Sequence, residues 1–320
     1  MPLLFDMPLE KLKVYQGTNP KPKDFDEFWD KSIAEMQKID PQVEIIAADF
    51  KSHFADAYHL YFTGINGAKI HAKLLKPKNI TGKNPAVLKF HGYSMSSGDW
   101  FEILPYAAEG YIVASMDCRG QGGLSEDNGS VVGWTLRGQI VRGVEDKPEK
   151  LYYRQVFLDT AQLAKIIMNM PEVDEDRVGA TGGSQGGGLA LACAALEPKL
   201  KLAATVFPFL TDYQRVWEID QINGAYNEIQ EWFRKRDPQH KRHQEFFEQL
   251  GYIDIQHLAP RIKAEVFMST GFMDTTCPPS TQFAAYNKIK SKKHVSFYPD
   301  YGHEYIPMIQ DEIHQFLLKL

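Results

Sequence analysis

A glycine-rich turn in the second half of the chain constrains the fold more than any other sequence feature. The turn reads Gly182-Gly183-Ser184-Gln185-Gly186 and matches the pattern G-x-S-x-G. Small and apolar residues at 178–181 predict a buried strand before it, and residues 185–196 predict a helix after it. In this context the small residues let the helix pack close to the strand that precedes it. The turn therefore places Ser184 between a strand and a helix.

Strands and helices alternate on both sides of this turn. The apolar pattern predicts strands at 86–90, 111–116, 202–207, 264–270 and 294–298, and helices at 24–38, 100–108, 154–170 and 306–319, with Asp24 as a candidate cap of the first helix. Such alternation favours a mostly parallel sheet covered by helices on both faces. Asn66-Gly67 lies between two segments of alternating polarity and predicts a hairpin, so the sheet is expected to begin antiparallel.

Three segments fall outside this alternation. They are an N-terminal extension of about 80 residues, a polar excursion at 124–153 and a mostly helical, aromatic-rich insertion at 212–260. The insertions are candidates for covering an active site or making a subunit contact, with local packing of the aromatic residues as the simpler alternative. Because the alternation forms one continuous series, we expect a single α/β domain over 1–320 rather than two domains.

Composition excludes several classes of protein. The 36 basic and 41 acidic residues give a net charge of −5, which argues against a nucleic-acid binder. No apolar run approaches the length of a membrane span, and the N-terminus does not resemble a signal peptide. Cys118, Cys193 and Cys277 form no metal or redox motif and indicate an intracellular protein. Without a phosphate-binding or zinc-binding motif, we predict no cofactor and no catalytic metal.

Ser184 is the candidate nucleophile, and a serine needs a base and an acid to act as one. In α/β-hydrolases the acid and then the histidine follow the serine along the chain. His303 fits the base because it follows the last predicted strand, just before the C-terminal helix. Asp274 lies in a loop after the strand at 264–270 and is the preferred acid, while Asp212, after the strand at 202–207, remains the alternative.

An oxyanion formed at the reacting carbonyl needs two backbone N–H donors. One is expected from Gln185, directly after the nucleophile, and the other from Tyr93, in the loop after the strand at 86–90. His91-Gly92 would let that loop turn tightly against Ser184. The pattern as a whole predicts hydrolysis of an acyl compound.

Three motifs together resemble carbohydrate esterase family 7, the acetyl xylan esterases and cephalosporin C deacetylases. They are Arg119-Gly120-Gln121 with Gly122-Gly123, the turn around Ser184, and His303-Glu304, and the segments Phe25–Trp29 and Leu151–Asp159 also fit. The resemblance spans nearly the whole chain. It implies an α/β-hydrolase fold and removal of acetyl groups from short xylooligosaccharides, with cephalosporin C and other small acetyl esters also accepted.

The resemblance also implies site residues and an assembly. Ser184, Asp274 and His303 would form the triad, and Tyr93 and Gln185 the oxyanion hole. The partner would be a small acetylated sugar or other small acetyl ester, with no nucleic acid and no membrane. The protein would be a cytoplasmic homohexamer whose active sites face an internal cavity.

Arg119 follows the strand at 111–116, at the carboxyl edge of the sheet. We expect its guanidinium to brace loop carbonyls or a carboxylate near the oxyanion loop, with Gln121 also in a structural role. Two other functions remain open. A peptidase of the prolyl-oligopeptidase type shares the fold and triad order, although only about 85 residues precede the first core strand here. A non-catalytic binding protein could also use this scaffold.

Overall fold

A computed structural model describes residues 5–79, 82–132 and 138–320 of the chain. The strands of the described residues, in chain order, are β1 Glu44–Lys51, β2 Ala55–Thr63, β3 Lys69–Pro77, β4 Asn84–Phe90, β5 Ile112–Met116, β6 Val173–Gly183, β7 Leu202–Val206, β8 Glu265–Gly271 and β9 Lys293–Tyr298. They form one nine-stranded sheet in the order β1-β2-β3-β5-β4-β6-β7-β8-β9.

The sheet is antiparallel at one end and parallel through the rest. β1, β2 and β3 pair antiparallel, and β3 also pairs antiparallel with β5. All pairs from β5 through β4 to β9 are parallel. Asn66 and Gly67 form the turn between β2 and β3 with φ angles of 60° and 73°, so the predicted hairpin and mostly parallel sheet are confirmed.

Each helix expected from the apolar pattern is present, with its ends within three residues of the predicted ones, and the helices at Leu9–Leu12 and Pro279–Tyr286 are additional. The helices of the described residues are α1 Leu9–Leu12, α2 Phe25–Gln37, α3 Trp100–Ala108, α4 Tyr152–Met168, α5 Gln185–Leu196, α6 Tyr213–Glu218, α7 Asn227–Arg236, α8 His243–Gly251, α9 Ile255–Leu258, α10 Pro279–Tyr286 and α11 Ile309–Leu317. The expected capping role of Asp24 is wrong, because its side chain makes no cap hydrogen bond. Its carboxylate instead accepts a hydrogen bond from the Tyr252 hydroxyl at 2.5 Å.

Two apolar layers cover the sheet, one on each face. Leu88 of β4 belongs to the layer that contains residues of α2, α4 and α5, whereas its neighbour Val87 belongs to the layer with residues of α3 and α11. Successive side chains of a strand point to opposite faces, so each central strand contributes to both layers. The carboxyl edge of the sheet therefore lies between two packed faces, and the loops that carry the site leave from that edge.

The insertion at 212–260 is helical, as predicted, and comprises α6, α7, α8 and α9. Its aromatic residues are largely buried against one another, with the Trp232 and Phe246 rings 4.3 Å apart. In the predicted excursion at 124–153, residues 133–137 lie outside the described part; the rest holds a 3₁₀ turn at Pro148–Lys150 and the start of α4. Of the described helices, none combines the length and apolar character that crossing a membrane requires.

Candidate active site

The turn between β6 and α5 holds Ser184 in a strained backbone conformation, with φ 56° and ψ −122°. Three backbone hydrogen bonds fix it: the Ser184 amide donates to the Val206 carbonyl at 2.9 Å, and the Ser184 carbonyl accepts from the amides of Gly188 and Phe209, each at 3.0 Å. Strain of this kind persists only where the surrounding structure enforces it, and it clusters at functional sites. The geometry is that of a nucleophile elbow.

Gly186 is needed at this turn because β4 runs directly beside it. A Cβ atom at Gly186 would lie 2.0 Å from the Phe90 carbonyl oxygen, closer than any real contact. The absence of a side chain lets α5 begin against the end of β4. The amide of Gln185, in the first turn of α5, has no acceptor within the helix and lies at the positive end of the helix dipole.

His303 reaches Ser184 from the loop between β9 and α11. Its Nε2 atom lies 3.0 Å from Ser184 Oγ although the two residues are 119 positions apart in the chain. The Phe207 ring packs on the imidazole with ring centroids 4.4 Å apart. The side chain remains 23% exposed, so the imidazole is held by packing and still open to a ligand.

Asp274 orients the imidazole from the opposite side. Its Oδ2 atom lies 2.9 Å from His303 Nδ1, and its Oδ1 atom accepts hydrogen bonds from the amides of Thr276 at 2.9 Å and Cys277 at 2.7 Å. The carboxylate is fully buried. The arrangement calls for the tautomer in which Nδ1–H donates to Asp274, leaving Nε2 to accept the Ser184 hydroxyl proton. Ser184, His303 and Asp274 thus form one connected hydrogen-bonded chain.

Asp212, the alternative acid, lies in a different hydrogen-bond network. Its carboxylate accepts hydrogen bonds from the Tyr15 hydroxyl at 2.8 Å and from the amides of Thr18 at 3.0 Å and Asn19 at 2.8 Å. It therefore ties the segment before α2 to the start of α6. Burial raises the pKa of Asp212, and these hydrogen bonds oppose that rise. The structure brings Asp274, and not Asp212, to His303.

Two glutamines hold the loop after β4. The Gln185 side chain donates from Nε2 to the carbonyls of His91 at 3.3 Å and Gly92 at 3.4 Å. Gln121 accepts a hydrogen bond from the Ser94 amide at 2.8 Å and donates to Gln185 Oε1 at 2.9 Å. Residues on both sides of Tyr93 are thereby fixed to the start of α5, which carries the other expected oxyanion donor.

His91 supports the same loop as a neutral imidazole. Its Nδ1 donates to the Gly92 carbonyl at 2.7 Å while its Nε2 accepts from the Cys118 amide at 2.9 Å. Burial lowers the pKa of His91. This arrangement matches a supporting role and gives His91 no hydrogen bond to Ser184.

Glu228 of α7 contacts this loop and was missed by the sequence reasoning. It accepts a hydrogen bond from the Tyr93 hydroxyl at 3.1 Å, and burial raises its pKa to about 7. A lone glutamate on a helix rich in charged residues is usually exposed. Its burial could have been inferred from its position four residues before Trp232, because this spacing places Glu228 on the apolar face of α7.

The Arg119 side chain contacts a carboxylate and a loop carbonyl. Its guanidinium forms two hydrogen bonds with Asp159, each of 2.7 Å, and also donates to Gln155 Oε1 at 2.7 Å and to the Ile65 carbonyl at 3.2 Å. It is completely buried. These bonds connect the loop after β5 with α4 and the β2–β3 turn, and none of them reaches Ser184, Asp274 or His303.

Within the described part of the chain, one group of side chains has metal-ligating atoms close together. These atoms, from Asp274, Cys277 and His303, lie within 4.8 Å of one another. Two of the three residues are already hydrogen-bonded to each other in the chain that ends at Ser184. The group therefore coincides with the candidate acid and base.

Comparison with known families and structures identifies close relatives. The family model described as acetyl xylan esterase (AXE1) matches residues 1–320. The crystal structure of acetyl xylan esterase 1 from Thermoanaerobacterium sp. JW/SL YS485 is 56% identical with a TM-score of 0.97, over 98% of this chain and 99% of that one. Acetyl xylan esterase from Paenibacillus sp. R4 is 37% identical with a TM-score of 0.93, over the same shares.

A curated relative is longer than this chain. Acetyl esterase Axe7A of Xylanibacter ruminicola (strain ATCC 19189 / DSM 19721 / CIP 105475 / JCM 8958 / 23) is 27% identical over 292 residues. The aligned region covers 89% of this chain but 63% of that protein.

Proposed function

The chain belongs to the acetyl xylan esterase family, and from that premise we propose that it is a serine esterase acting on small acetyl esters. The proposed substrates are short acetylated xylooligosaccharides, with cephalosporin C and other small acetyl esters also accepted. The observation that carries the proposal is the continuous contact from Ser184 through His303 to buried Asp274, with distances of 3.0 and 2.9 Å. Family membership supports the acetyl-ester substrate class.

In the proposed mechanism Ser184 Oγ attacks the acetyl carbonyl while His303 Nε2 takes the hydroxyl proton. Asp274 stabilises the resulting imidazolium through its hydrogen bond with Nδ1. The negative charge that develops on the carbonyl oxygen would be stabilised by the backbone N–H groups of Tyr93 and Gln185. When the tetrahedral intermediate collapses, the sugar alkoxide leaves with the proton from His303 and an acetyl group remains on Ser184.

Water completes the second half of the reaction. His303 removes a proton from the water as it attacks the acetyl-enzyme, and then returns that proton to Ser184 Oγ, releasing acetate. The exposed part of the imidazole allows water to approach. Acid and base functions thus alternate on one residue, and no further group needs to exchange protons.

One substrate panel tests the proposal. We expect acetylated xylooligosaccharides, cephalosporin C and an acetyl aryl ester to be hydrolysed, and a peptide substrate to be left intact. Ser184→Ala should lower kcat by roughly 10⁴–10⁶-fold. Cleavage of the peptide alone would favour the peptidase alternative. Activity retained in Ser184→Ala would overturn the nucleophile assignment, and binding of esters without any turnover would favour a non-catalytic protein.

Acyl preference adds a sharper test of the same function. A family of acetyl esterases implies a small acyl site, so the rate on an octanoyl ester should fall well below the rate on the acetyl ester. Comparable kcat/KM values for the two aryl esters would contradict a small acyl site.

The assembly and location follow from the family resemblance. We propose a cytoplasmic homohexamer, with light scattering after size exclusion as the measurement and a clean monomer as the contradicting result. The three cysteines are free and buried, which is compatible with a reducing compartment.

A further inference from the structure

Glu228 connects the loop that carries Tyr93 to both insertions. Its Oε1 atom accepts hydrogen bonds from the Tyr93 hydroxyl and from the Gln139 amide, each at 3.1 Å. Its Oε2 atom accepts from the Val141 amide at 2.9 Å. The side chain is buried. One carboxylate of α7 therefore joins the loop after β4 to residues 139–141 of the segment 124–153.

The same stretch of chain also touches the loop that carries Asp274. Asn223, just before α7, donates from its side-chain amide to the Thr275 carbonyl at 3.0 Å. A cavity of about 450 Å³ lies along this stretch, between Tyr93 and Ser94 on one side and Gly224 and Glu228 on the other. The segment 223–228 thus spans from the candidate acid to the candidate oxyanion loop.

The hydrogen bonds that fix the loop after β4 fall on either side of Tyr93, at Gly92 and Ser94. The Tyr93 ring packs edge-on against Phe209 with centroids 6.0 Å apart, and its hydroxyl contacts Glu228. The side chain therefore provides a separate anchor for this residue. A rotation about the Tyr93 backbone would break that anchor as well as redirect the amide.

We propose that Glu228 is a positioning residue for the oxyanion hole. By holding the Tyr93 hydroxyl it fixes the direction of the Tyr93 N–H, and the insertion at 212–260 thereby becomes part of the catalytic machinery. The inference rests on the proposed esterase function. Because the oxyanion bond strengthens as charge develops, its loss reduces kcat more than it raises KM.

The test is a comparison of Tyr93→Phe and Glu228→Gln with the native chain on p-nitrophenyl acetate. Tyr93→Phe removes only the hydroxyl, so it tests the contact even if Glu228→Gln does not fold. In each variant kcat should fall about tenfold, a fraction of the 10²–10³-fold lost when an oxyanion donor itself is removed. KM should stay within about twofold, because acetyl-ester binding is unchanged. The double variant should be no slower than the slower single variant, because both remove one contact.

Tyr252→Phe is the matched control, since the Tyr252 hydroxyl also donates to a carboxylate, that of Asp24, outside the hydrogen-bond network of Ser184; it should keep kcat. An unchanged kcat in a folded Tyr93→Phe variant, or a rise in its KM alone, would overturn the positioning role of Glu228. The esterase function would still stand if the native chain were active and Ser184→Ala were inactive. An inactive native chain would overturn the esterase function and this inference with it.

Discussion

Arg119 and Asp159 form a bidentate ion pair in which both side chains are completely buried, and both N–O distances are 2.7 Å. The pair connects the loop after β5 to α4. Burial raises the pKa of Asp159, and the neighbouring guanidinium opposes that rise. A carboxylate in this position depends on its partner to remain charged.

Arg119→Ala should destabilise the protein by about 3–5 kcal/mol, because it leaves a buried carboxylate without its cation. Urea unfolding monitored by circular dichroism measures the loss in the free energy of unfolding. The control is Lys199→Ala, whose 2.7 Å pair with Glu175 is largely exposed, so its loss should leave the free energy of unfolding nearly unchanged. A stable Arg119→Ala that lost only kcat would contradict the structural role.

Asp274→Asn and Asp212→Asn should separate the two candidate acids. In Asp274→Asn the amide no longer holds the His303 tautomer, and kcat should fall on the order of 10⁴-fold with the fold retained. In Asp212→Asn the amide oxygen can still accept from Thr18 and Asn19, but the NH₂ group takes the position that accepts the Tyr15 hydroxyl, so the loss should appear in the free energy of unfolding. Steady-state kinetics and urea unfolding of both variants provide the comparison. A larger kcat loss in folded Asp212→Asn would reverse the assignment.

Gly186→Ala and Gly183→Ala test whether the turn needs glycine at one position and not the other. The added methyl at Gly186 would meet the Phe90 carbonyl, so stability should fall by about 1–3 kcal/mol and kcat should fall as α5 shifts. At Gly183 the nearest atom would be 3.7 Å away in the Phe207 ring, so the change should stay within about 0.5 kcal/mol. Equal tolerance of both substitutions, by thermal unfolding and esterase rate, would contradict the close packing seen here.

Asp254 should make stability depend on pH. Burial first, and then the charge of Asp212, raise its pKa from 3.8 to about 7. The folded state therefore holds the proton more tightly than the unfolded state, and the stability this contributes is present below pH 3.8 and lost as pH rises toward 7. Relative to Asp254→Asn, the native chain should lose stability between about pH 4 and 8. Urea unfolding across that range measures the difference, and a pH-independent difference would contradict a raised pKa.

Local pattern was sufficient for most of the elements. The hairpin at Asn66-Gly67 and the helices at 100–108 and 185–196 depend on turn residues and apolar spacing within a few neighbouring positions, and they form where those patterns predict. Asp24 is different because its partner is distant in sequence. Its position before α2 suits a helix cap. Its carboxylate instead accepts a hydrogen bond from the Tyr252 hydroxyl, more than 200 residues away in the chain.

The sequence predicts Ser184, Asp274 and His303 as a triad by their chain order, because each follows a strand whose end must lie at one edge of a parallel sheet. The sequence does not decide between Asp274 and Asp212, because both follow parallel strands that are neighbours in the sheet. Strand order, loop path and the hydrogen bonds of the segment before α2 decide which carboxylate faces the imidazole. The contact between Glu228 and Tyr93 likewise depends on where an inserted helix packs. Such contacts join residues distant in sequence, so only the packed chain determines them.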